Sequence, residues 1–369
     1  MGGVYIHIPF CASKCPYCDF YSLRCGEKEK NEYVEAVIDE INTNRRAAGF
    51  FDSFNNADTI YLGGGTPSVL KGEDIARIVS AAKKAYGAGD GSEITVECNP
   101  SSDIEGLLPY FKSVGVNRVS LGMQSAVEKE RRTLGRTSDK ERISHVASLL
   151  KNAGVTNISL DVMLGIPFQT EKSLEETLEF ANSLDVKHIS AYILKLEEGT
   201  FFYKNRSKYD FPDDDAVAAL YEKCCDFLKT AGFVHYEISN FAKPGYKSRH
   251  NTKYWLLEDY LGIGAAAHSL VNGKRFYYNR SVRDFCDGKP PVFDDFGGGK
   301  EEYIMLRLRL EGGVNLSELK ELYGDKSAEP LIKKAPLLKK NGFINFDGEN
   351  FSLTEKGFLV SNSIISEII

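Results

Sequence analysis

Short runs rich in apolar residues recur along the first half of the chain, at VYIHI (4–8), DTIYL (58–62), EITVE (93–97), RVSLG (118–122), ISLDVML (158–164) and HISAYIL (188–194). Between these runs the apolar residues return every three or four positions, as they do in an amphipathic helix. Nearly continuous apolar runs are typical of parallel strands that are covered on both faces. The alternation therefore predicts right-handed βαβ units in an α/β fold, arranged either as an open doubly wound sheet or as a barrel.

The pattern changes twice in the second half of the chain. It becomes irregular up to about residue 296, and GGGK (297–300) then separates a last segment with three helical stretches followed by FINF, a DGEN turn and FSL. A DG turn between apolar runs is a strong hairpin signal. We therefore predict three regions, namely a barrel or sheet domain over 1–235, a connecting region over 236–296, and a winged-helix-like α+β module over 297–369.

Composition places the chain among ordinary globular proteins and argues against several functions. Of 369 residues, 42% are hydrophobic and 27% charged, and the net charge is −6. No basic field favours nucleic acid, and residues 300–369 carry ten Lys and Arg against eleven Asp and Glu, a net charge of −1. No apolar run has the ~20 residues of a membrane span, and the start resembles no signal peptide. We expect a cytoplasmic protein with no transmembrane segment, in which eight cysteines stay reduced and indicate metal binding or reactivity.

Three of those cysteines lie close together near the start of the chain. Cys11, Cys15 and Cys18 have the spacing C-x3-C-x2-C. A zinc ion would need a fourth ligand, for which Cys25 or His7 is a candidate, but there is no second C-x2-C pair in the chain. An iron–sulfur cluster held by three thiolates would instead keep one iron open for a ligand. The residues alone leave a cluster, zinc and coincidence as alternatives, with the cluster favoured.

Polar motifs follow four consecutive predicted strands at their carboxyl ends. They are GGGTP (63–67), ECNP (97–100), GMQS (122–125) and Asp161 with Gly165. Each motif alone is most often a turn or a solvated strand end. Because ligands of α/β barrels and sheets bind at the carboxyl ends of the strands, their common position, together with the cysteine loop after the first strand, predicts one site.

With these motifs the sequence resembles the radical S-adenosylmethionine (SAM) superfamily, in the branch of the oxygen-independent coproporphyrinogen III oxidases and their relatives. The resemblance covers most of the chain. It implies a partial (β/α)6 barrel of the TIM type with a C-terminal domain, and a [4Fe-4S] cluster on Cys11, Cys15 and Cys18 with SAM on the open iron. The residues that it implies around SAM are Tyr5, Tyr17, Gly64, Gly65, Thr66, Glu97, Gln124, Arg136 and Asp161.

The resemblance also implies individual roles for these residues. Tyr17 would pack near the adenine, and Gly64, Gly65 and Thr66 would meet the methionine end of SAM. Glu97 and Arg136 carry charges suited to the ammonium and carboxylate of that end. Gln124 and Asp161 could hydrogen-bond the ribose, and Tyr5 would lie beside the cluster loop. No catalytic residue is assigned, although His7 lies next to the cluster.

Two departures distinguish this chain from the oxidases of the branch. Position 20 is Phe where the oxidases usually have a fourth cysteine, and only ten residues precede Cys11. Instead, His250-Asn251-Thr252-Lys253-Tyr254-Trp255 matches the H-N-x-x-Y-W motif of the heme chaperone group, which implies His250 as a heme ligand or neighbour, with His268 as a second candidate.

Three functions from different classes therefore remain at this stage. The first is a heme chaperone with heme-accepting partners, a reductant for the cluster and a homodimer as a further expectation. The alternative is an oxidoreductase acting on coproporphyrinogen III or another tetrapyrrole. The weakest is a nucleic-acid modifier that uses the C-terminal module, which we expect instead to cover the barrel mouth or to engage a partner.

Overall fold

A sheet of twelve strands forms the centre of the molecule, which is described here by a computed structural model of residues 1–369. All six predicted strands are present, as β1 (Gly2–Ile8), β2 (Ala57–Gly64), β3 (Glu93–Cys98), β4 (Arg118–Gln124), β5 (Asn157–Leu164) and β6 (His188–Ile193). They pair in parallel in chain order. A doubly wound sheet reverses its strand order, whereas a barrel does not. Since β6 and β1 are not paired, the structure confirms a partial (β/α)6 barrel.

Helices connect the parallel strands and pack on the outside of the sheet. They are α1 (Glu27–Thr43), α2 (Gly72–Tyr86), α3 (Ile104–Val114), α4 (Glu128–Thr133), α5 (Lys140–Asn152), α6 (Glu171–Ser183), α7 (Phe201–Lys204) and α8 (Asp214–Thr230). Polar caps begin several of them; the Asp213 carboxylate, for example, accepts the backbone N–H of Ala216 at the start of α8. No helix in the structure combines the length and the apolar character that crossing a membrane requires.

The two faces of the parallel strands differ in polarity. On β1, Val4, Ile6 and Ile8 are fully buried against the helices, and burying such side chains stabilises the fold by roughly 1.5–3 kcal/mol each. Tyr5 and His7 alternate with them and point the opposite way, into the barrel. The same alternation places polar side chains in the barrel from β2 to β6, namely Thr59, Tyr61, Glu93, Thr95, Glu97, Arg118, Ser120, Ser159, Asp161, His188 and Ser190. The interpretation of these strands as apolar on both faces is therefore wrong, and the barrel encloses a polar lumen.

Residues 236–296 extend the sheet rather than merely connecting two domains. The additional strands are β7 (Val234–Glu237), β8 (Asn240–Ala242), β9 (Tyr260–Ile263), β10 (His268–Val271), β11 (Lys274–Tyr277) and β12 (Val292–Phe296), with the short helix α10 (Val282–Cys286) between the last two. β8 pairs antiparallel with β6, and β9 pairs parallel with β1. The barrel is thus flanked by later strands on both sides.

The helix α9 (Arg249–Leu256) contains the H-N-x-x-Y-W motif and lies at the amino end of the parallel strands. The Glu93 carboxylate, at the start of β3, accepts the backbone N–H groups of Arg249 and His250 at 3.1 and 3.0 Å. Asp58, at the start of β2, pairs with Arg249 at 2.9 Å. These contacts fasten α9 across the end of the barrel that is opposite the cysteine loop.

The C-terminal module has the predicted winged-helix-like composition. It contains α11 (Lys300–Arg307), α12 (Leu316–Tyr323), α13 (Glu329–Lys340), α14 (Glu355–Leu359) and α15 (Ser361–Ile368), with a small sheet in the order β13 (Val314–Asn315), β15 (Asn350–Leu353), β14 (Ile344–Phe346).

The C-terminal module contacts α8 and α9 and does not cover the barrel mouth. The Arg309 guanidinium lies 5.6 Å from the centre of the Trp255 ring in α9. The Phe358 ring lies 5.2 Å from the ring of His235 in β7. The prediction that the module covers the mouth is therefore wrong, because its apolar residues pack beside the amino end of the barrel.

Candidate functional site

The cysteine loop directly follows β1 and is anchored at several points. The backbone N–H of Cys11 donates to the carbonyl of Leu23 at 3.1 Å, and that of Leu23 donates to the carbonyl of Pro9 at 2.8 Å. The backbone N–H of Phe202 in α7 donates to the carbonyl of Pro16 at 2.9 Å. Cys11, Cys15 and Cys18 are all free thiols and partly exposed. The loop therefore presents three available sulfur ligands on a fixed backbone at the carboxyl end of the barrel.

The spacing of the three sulfur atoms bears on the choice between zinc and a cluster. The thiolates around one tetrahedral zinc ion lie about 3.8 Å apart. A single group of three His, Cys, Asp or Glu side chains has all its ligand atoms within 4.8 Å of one another, and it lies elsewhere, so at least two of the loop sulfurs are further apart than that. A cubane binds each thiolate through a different iron and requires the wider spacing. Three thiolates are a donor set that fits a [4Fe-4S] cluster with one iron left open.

The glycine turn after β2 packs tightly against the cysteine loop. Gly64 has a φ of 106°, and a side chain there would come within 2.3 Å of the His7 ring. A Cβ on Gly65 would lie 2.7 Å from the carbonyl oxygens of Ile8 and Phe10. The Thr66 hydroxyl is 3.4 Å from the sulfur of Cys11. The turn therefore needs glycine to approach the protein's own first strand, and the expected contacts of Gly64, Gly65 and Thr66 with SAM stay a prediction.

Two buried carboxylates lie next to this turn. Glu97 accepts hydrogen bonds from the Tyr61 hydroxyl at 2.7 Å and from the backbone N–H of Gly64 at 3.1 Å. Burial raises the pKa of Glu97 to about 7, with a further contribution from the charge of Asp161. Asp161 accepts the Ser120 hydroxyl at 3.0 Å, and burial also raises its pKa. Two carboxyl groups held in one lumen are suited to a ligand that brings a positive charge or hydroxyl donors.

Buried polar atoms without partners occur on the same rim. Arg136 donates through Nη2 to the Tyr17 hydroxyl at 2.8 Å, but its Nε has no hydrogen-bond partner. The Oε1 atom of Gln124 is also buried and unpaired, and this residue has a φ of 71° that few side chains adopt. Since an unpaired buried polar group costs about 1–3 kcal/mol, both atoms indicate a polar ligand at this position.

Tyr5 and His7 lie beneath the cysteine loop and support it. The Tyr5 hydroxyl contacts Nδ1 of His7 at 2.9 Å, and Nε2 of His7 lies 3.1 Å from the carbonyl of Tyr21. Because a carbonyl only accepts, Nε2 carries the proton and Nδ1 accepts from Tyr5. Burial lowers the pKa of His7 to about 4, so the ring is neutral. The expected position of Tyr5 beside the loop agrees with this geometry, and His7 orients the loop backbone.

His250 lies at the other end of the lumen, below Tyr5 and Tyr61. Its Nδ1 contacts the Thr59 hydroxyl at 2.8 Å, and its Nε2 contacts the Tyr254 hydroxyl at 2.8 Å. The residue is 1% exposed, and burial lowers its pKa to about 3. Neither ring nitrogen is free in this arrangement. Heme ligation by His250 stays a prediction, and it requires the ring to give up one of these hydrogen bonds.

His268, by contrast, lies on the carboxyl rim at the start of β10. Its ring is exposed and stacks on Tyr277 with the ring centres 5.1 Å apart. Partial burial lowers the pKa of His268, the charge of Asp294 opposes this shift, and the charges of Arg275 and Arg280 add to it. The ring forms no hydrogen bond. It is near enough to His7 to influence the pKa of that residue. His268 therefore offers free ring nitrogens on the side of the barrel that carries the cysteine loop.

Arg118 is the principal lumen residue that the sequence reasoning missed. It is 2% exposed at the start of β4, and its Nε and Nη1 atoms have no hydrogen-bond partner. Its nearest charges include Glu93 and Asp161. The signal was present in the sequence, because Arg118, Ser120 and Gly122 alternate with Val119 and Leu121 in a period of two.

This barrel and its three-cysteine loop define the class of the protein. The family model described as "Radical SAM superfamily" matches residues 5–181, and that described as "HemN C-terminal domain" matches residues 301–360. In fold, the chain is similar to the coproporphyrinogen III oxidase HemN from Escherichia coli, with a TM-score of 0.82 and 22% identity over 99% of this chain and 89% of that one.

Full-length relatives define the family more narrowly. The heme chaperone HemW of Escherichia coli K12 is 35% identical, over 98% of this chain and 97% of the relative. That of Bacillus subtilis is 33% identical over 100% of this chain and 99% of the relative. The heme chaperone HemW of Lactococcus lactis is 31% identical over 100% of this chain and 97% of the relative. The chain belongs to the heme chaperone HemW family within the radical SAM superfamily.

Proposed function

We propose that Cys11, Cys15 and Cys18 hold a [4Fe-4S] cluster and that SAM binds between this cluster and the carboxyl rim of the barrel. The observation that carries the proposal is the pair of unpaired buried atoms, Oε1 of Gln124 and Nε of Arg136, beside two buried carboxylates. When bound, such a cluster would supply one-electron reduction and an iron without a protein ligand.

Each rim residue recognises a different part of SAM, according to its charge and its hydrogen-bonding groups. Glu97 accepts hydrogen bonds from the amino group, and the charge of Arg136 favours the carboxylate. Gln124 and Asp161 accept ribose hydroxyls, and Tyr17, held by Arg136, borders the adenine. Gly64, Gly65 and Thr66 line the methionine end, while Tyr5 holds the loop from below through His7. Each residue binds or orients, and the lumen keeps bulk water away from the charged groups.

Membership of the HemW family supports a second part of the proposal, that the protein binds heme and transfers it to acceptor proteins. The function requires heme-accepting proteins and a reductant for the cluster as partners. A homodimer and a cytoplasmic location stay predictions that accompany it.

We assign the contact with heme iron to His268 in preference to His250. A heme ligand must present a free imidazole nitrogen, and heme must be able to reach it. His268 is exposed and forms no hydrogen bond through its ring, whereas both ring nitrogens of His250 are hydrogen-bonded inside the barrel. The alternative assignment to His250 predicts that α9 moves when heme binds.

Anaerobic reconstitution with iron, sulfide and SAM, followed by hemin titration, tests both parts on one sample. We expect about one heme per chain in the wild type, and a shifted Soret band or weakened retention in His268→Ala. The matched variant His250→Ala should keep the wild-type Soret band if the ring is only structural. Heme binding that is indifferent to the loss of both histidines would contradict histidine ligation.

The same sample distinguishes the chaperone from an oxidase. We expect no conversion of coproporphyrinogen III to protoporphyrinogen IX under reducing, anaerobic conditions, because Phe20 replaces the fourth cysteine of the oxidases. Steady turnover above a Cys11→Ala control would instead make this chain an oxidase with an unusual amino end.

A further inference from the structure

The C-terminal module meets the barrel at three side chains that can bind metal. Cys225 lies in α8, His235 in β7 and Glu355 at the start of α14, and their ligand atoms all lie within 4.8 Å of one another. Cys225 is 1% exposed, and the other two are half-buried. We call these three residues the junction cluster. It is remote in sequence from the cysteine loop and belongs to a different part of the fold.

The hydrogen bonds of His235 leave the correct nitrogen free for a metal ion. Its Nε2 lies 3.4 Å from the carbonyl oxygen of Ile238, which can only accept a hydrogen bond. Nε2 therefore carries the proton, and the lone pair of Nδ1 faces the sulfur of Cys225 at 4.0 Å. Metal-binding histidines usually donate their other N–H to a carbonyl or carboxylate in this way. The ring is further held by stacking on Phe241, with centres 4.1 Å apart.

The Glu355 carboxylate of the junction cluster has no counterion in the protein. The ion pairs of the surrounding C-terminal module use Glu318 and Glu367. The neighbouring Lys356 directs its ammonium group over the Phe343 ring, 5.4 Å from the ring centre, instead of towards Glu355. A divalent cation would displace the proton of the Cys225 thiol and bind the resulting thiolate together with the Glu355 carboxylate, so it would stabilise the arrangement.

We propose that the junction cluster binds a zinc ion that ties the C-terminal module to the barrel. Thiolate, imidazole and carboxylate are all zinc ligands, and three protein ligands leave a fourth position for water. Ligand atoms around a tetrahedral zinc ion lie about 3.3–3.8 Å apart, so binding requires only an inward movement of about 1 Å. Two ligands come from the barrel and one from the module, and the ion therefore stabilises their contact.

Cobalt(II) binding to the full chain tests the proposal. Cys11, Cys15 and Cys18 are first replaced by Ala, so that no cluster thiolate remains. We expect one equivalent of Co²⁺ to produce a thiolate-to-cobalt charge-transfer band and Zn²⁺ to abolish it. Cys225→Ser in the same background should lose the band. The matched variant Cys224→Ser should keep it, since that neighbouring buried thiol lies outside the junction cluster.

Glu355→Gln provides a second test in case Cys225→Ser, which changes a buried residue, does not fold. It should keep the thiolate band at saturating cobalt but lower the affinity by about tenfold or more. Zinc should raise the midpoint of thermal unfolding of the parent and not that of Cys225→Ser. The proposal is overturned if the parent shows no stoichiometric band, if the band persists in Cys225→Ser, or if Glu355→Gln binds cobalt as tightly as the parent.

Discussion

The two ends of the barrel carry polar side chains in different states. At the carboxyl end, Glu97 has a pKa raised by burial to about 7, and buried atoms of Gln124 and Arg136 have no partner. At the amino end, both ring nitrogens of His250 are hydrogen-bonded, and Glu93 accepts two backbone N–H groups of α9.

This difference separates the lumen residues that are suited to bind a ligand from those that stabilise the fold. A buried polar group whose hydrogen bonds are complete contributes to stability, whereas one that lacks a partner is costly until a ligand supplies it. The unpaired atoms of Gln124 and Arg136 thus arrange the carboxyl end for a ligand, and the completed hydrogen bonds of His250 and Glu93 arrange α9 as a closure. Arg118, at the start of β4, is the exception at the amino end, since two of its buried atoms have no partner. The difference predicts that substitutions at the carboxyl end change ligand binding and that substitutions in the contacts of α9, at the amino end, change the free energy of unfolding.

The largest expected effect is the loss of the cluster. Replacing any one of Cys11, Cys15 and Cys18 with Ala should abolish the [4Fe-4S] absorbance and the EPR signal of the reduced protein, because a cubane with two protein thiolates is poorly held. Cys25→Ala and Cys286→Ala are matched controls, since both thiols are also partly exposed. Tight binding of one zinc ion and no iron uptake after anaerobic purification would exclude the cluster.

Removing a rim carboxylate should weaken SAM without affecting iron. Glu97→Ala and Asp161→Ala each remove a charge-assisted hydrogen bond worth about 1.5–3 kcal/mol, which corresponds to roughly a ten- to hundredfold loss of affinity. Calorimetric titration with SAM and iron analysis of the same preparations provide the measurement. Wild-type affinity in both variants would show that SAM does not bind this rim.

The affinity for SAM should also rise with pH. Because the pKa of Glu97 is about 7, its carboxyl group is mostly protonated at pH 6 and mostly ionised at pH 8, and only the ionised form accepts a charge-assisted hydrogen bond from the amino group of SAM. The fraction ionised changes by roughly tenfold over this range, and the dissociation constant of SAM should fall by a similar factor. Glu97→Gln should flatten this dependence; a wild-type slope in that variant would assign the titration to another group.

The smallest effect is expected at the amino end. Glu93→Gln keeps one acceptor for the backbone of α9 but loses the charge, so it should lower the free energy of unfolding by about 1 kcal/mol. The affinity for SAM should stay unchanged. Urea denaturation and calorimetry test the two statements, with the exposed Glu179→Gln as a control for the loss of one charge. A weaker affinity for SAM in Glu93→Gln would remove the distinction between the two ends.

The parallel strands and the rim could be predicted because both depend on local patterns. Apolar runs locate β1 to β6, and the rule that ligands meet the carboxyl ends of strands brings Glu97, Gln124 and Asp161 together from sequence alone. The polar lumen was missed because Tyr and Thr are common in strands, so that their period-two alternation with Val, Ile and Leu resembled an unbroken strand signal.

The position of α9 could not be predicted from local patterns. His250 bonds Thr59, and Tyr260 pairs with Gly3, across almost the whole barrel sequence. No helix periodicity encodes which end of a barrel a distant helix will close. The motif therefore indicated an important histidine but not the end of the barrel on which it lies.

The pairing of β1 with β9 has a consequence for how the chain is made. The cysteine loop leaves the ribosome early, but the support beneath it is incomplete until Ala265 has followed, because Tyr33 bridges the carbonyl of His7 and the backbone N–H of Ala265 at 2.8 and 2.9 Å. At usual rates of synthesis, this interval lasts roughly 10–50 s. During it, the three thiols are attached to a strand that lacks one neighbour. We therefore expect cluster insertion to follow translation of β9 instead of accompanying the emergence of the cysteines.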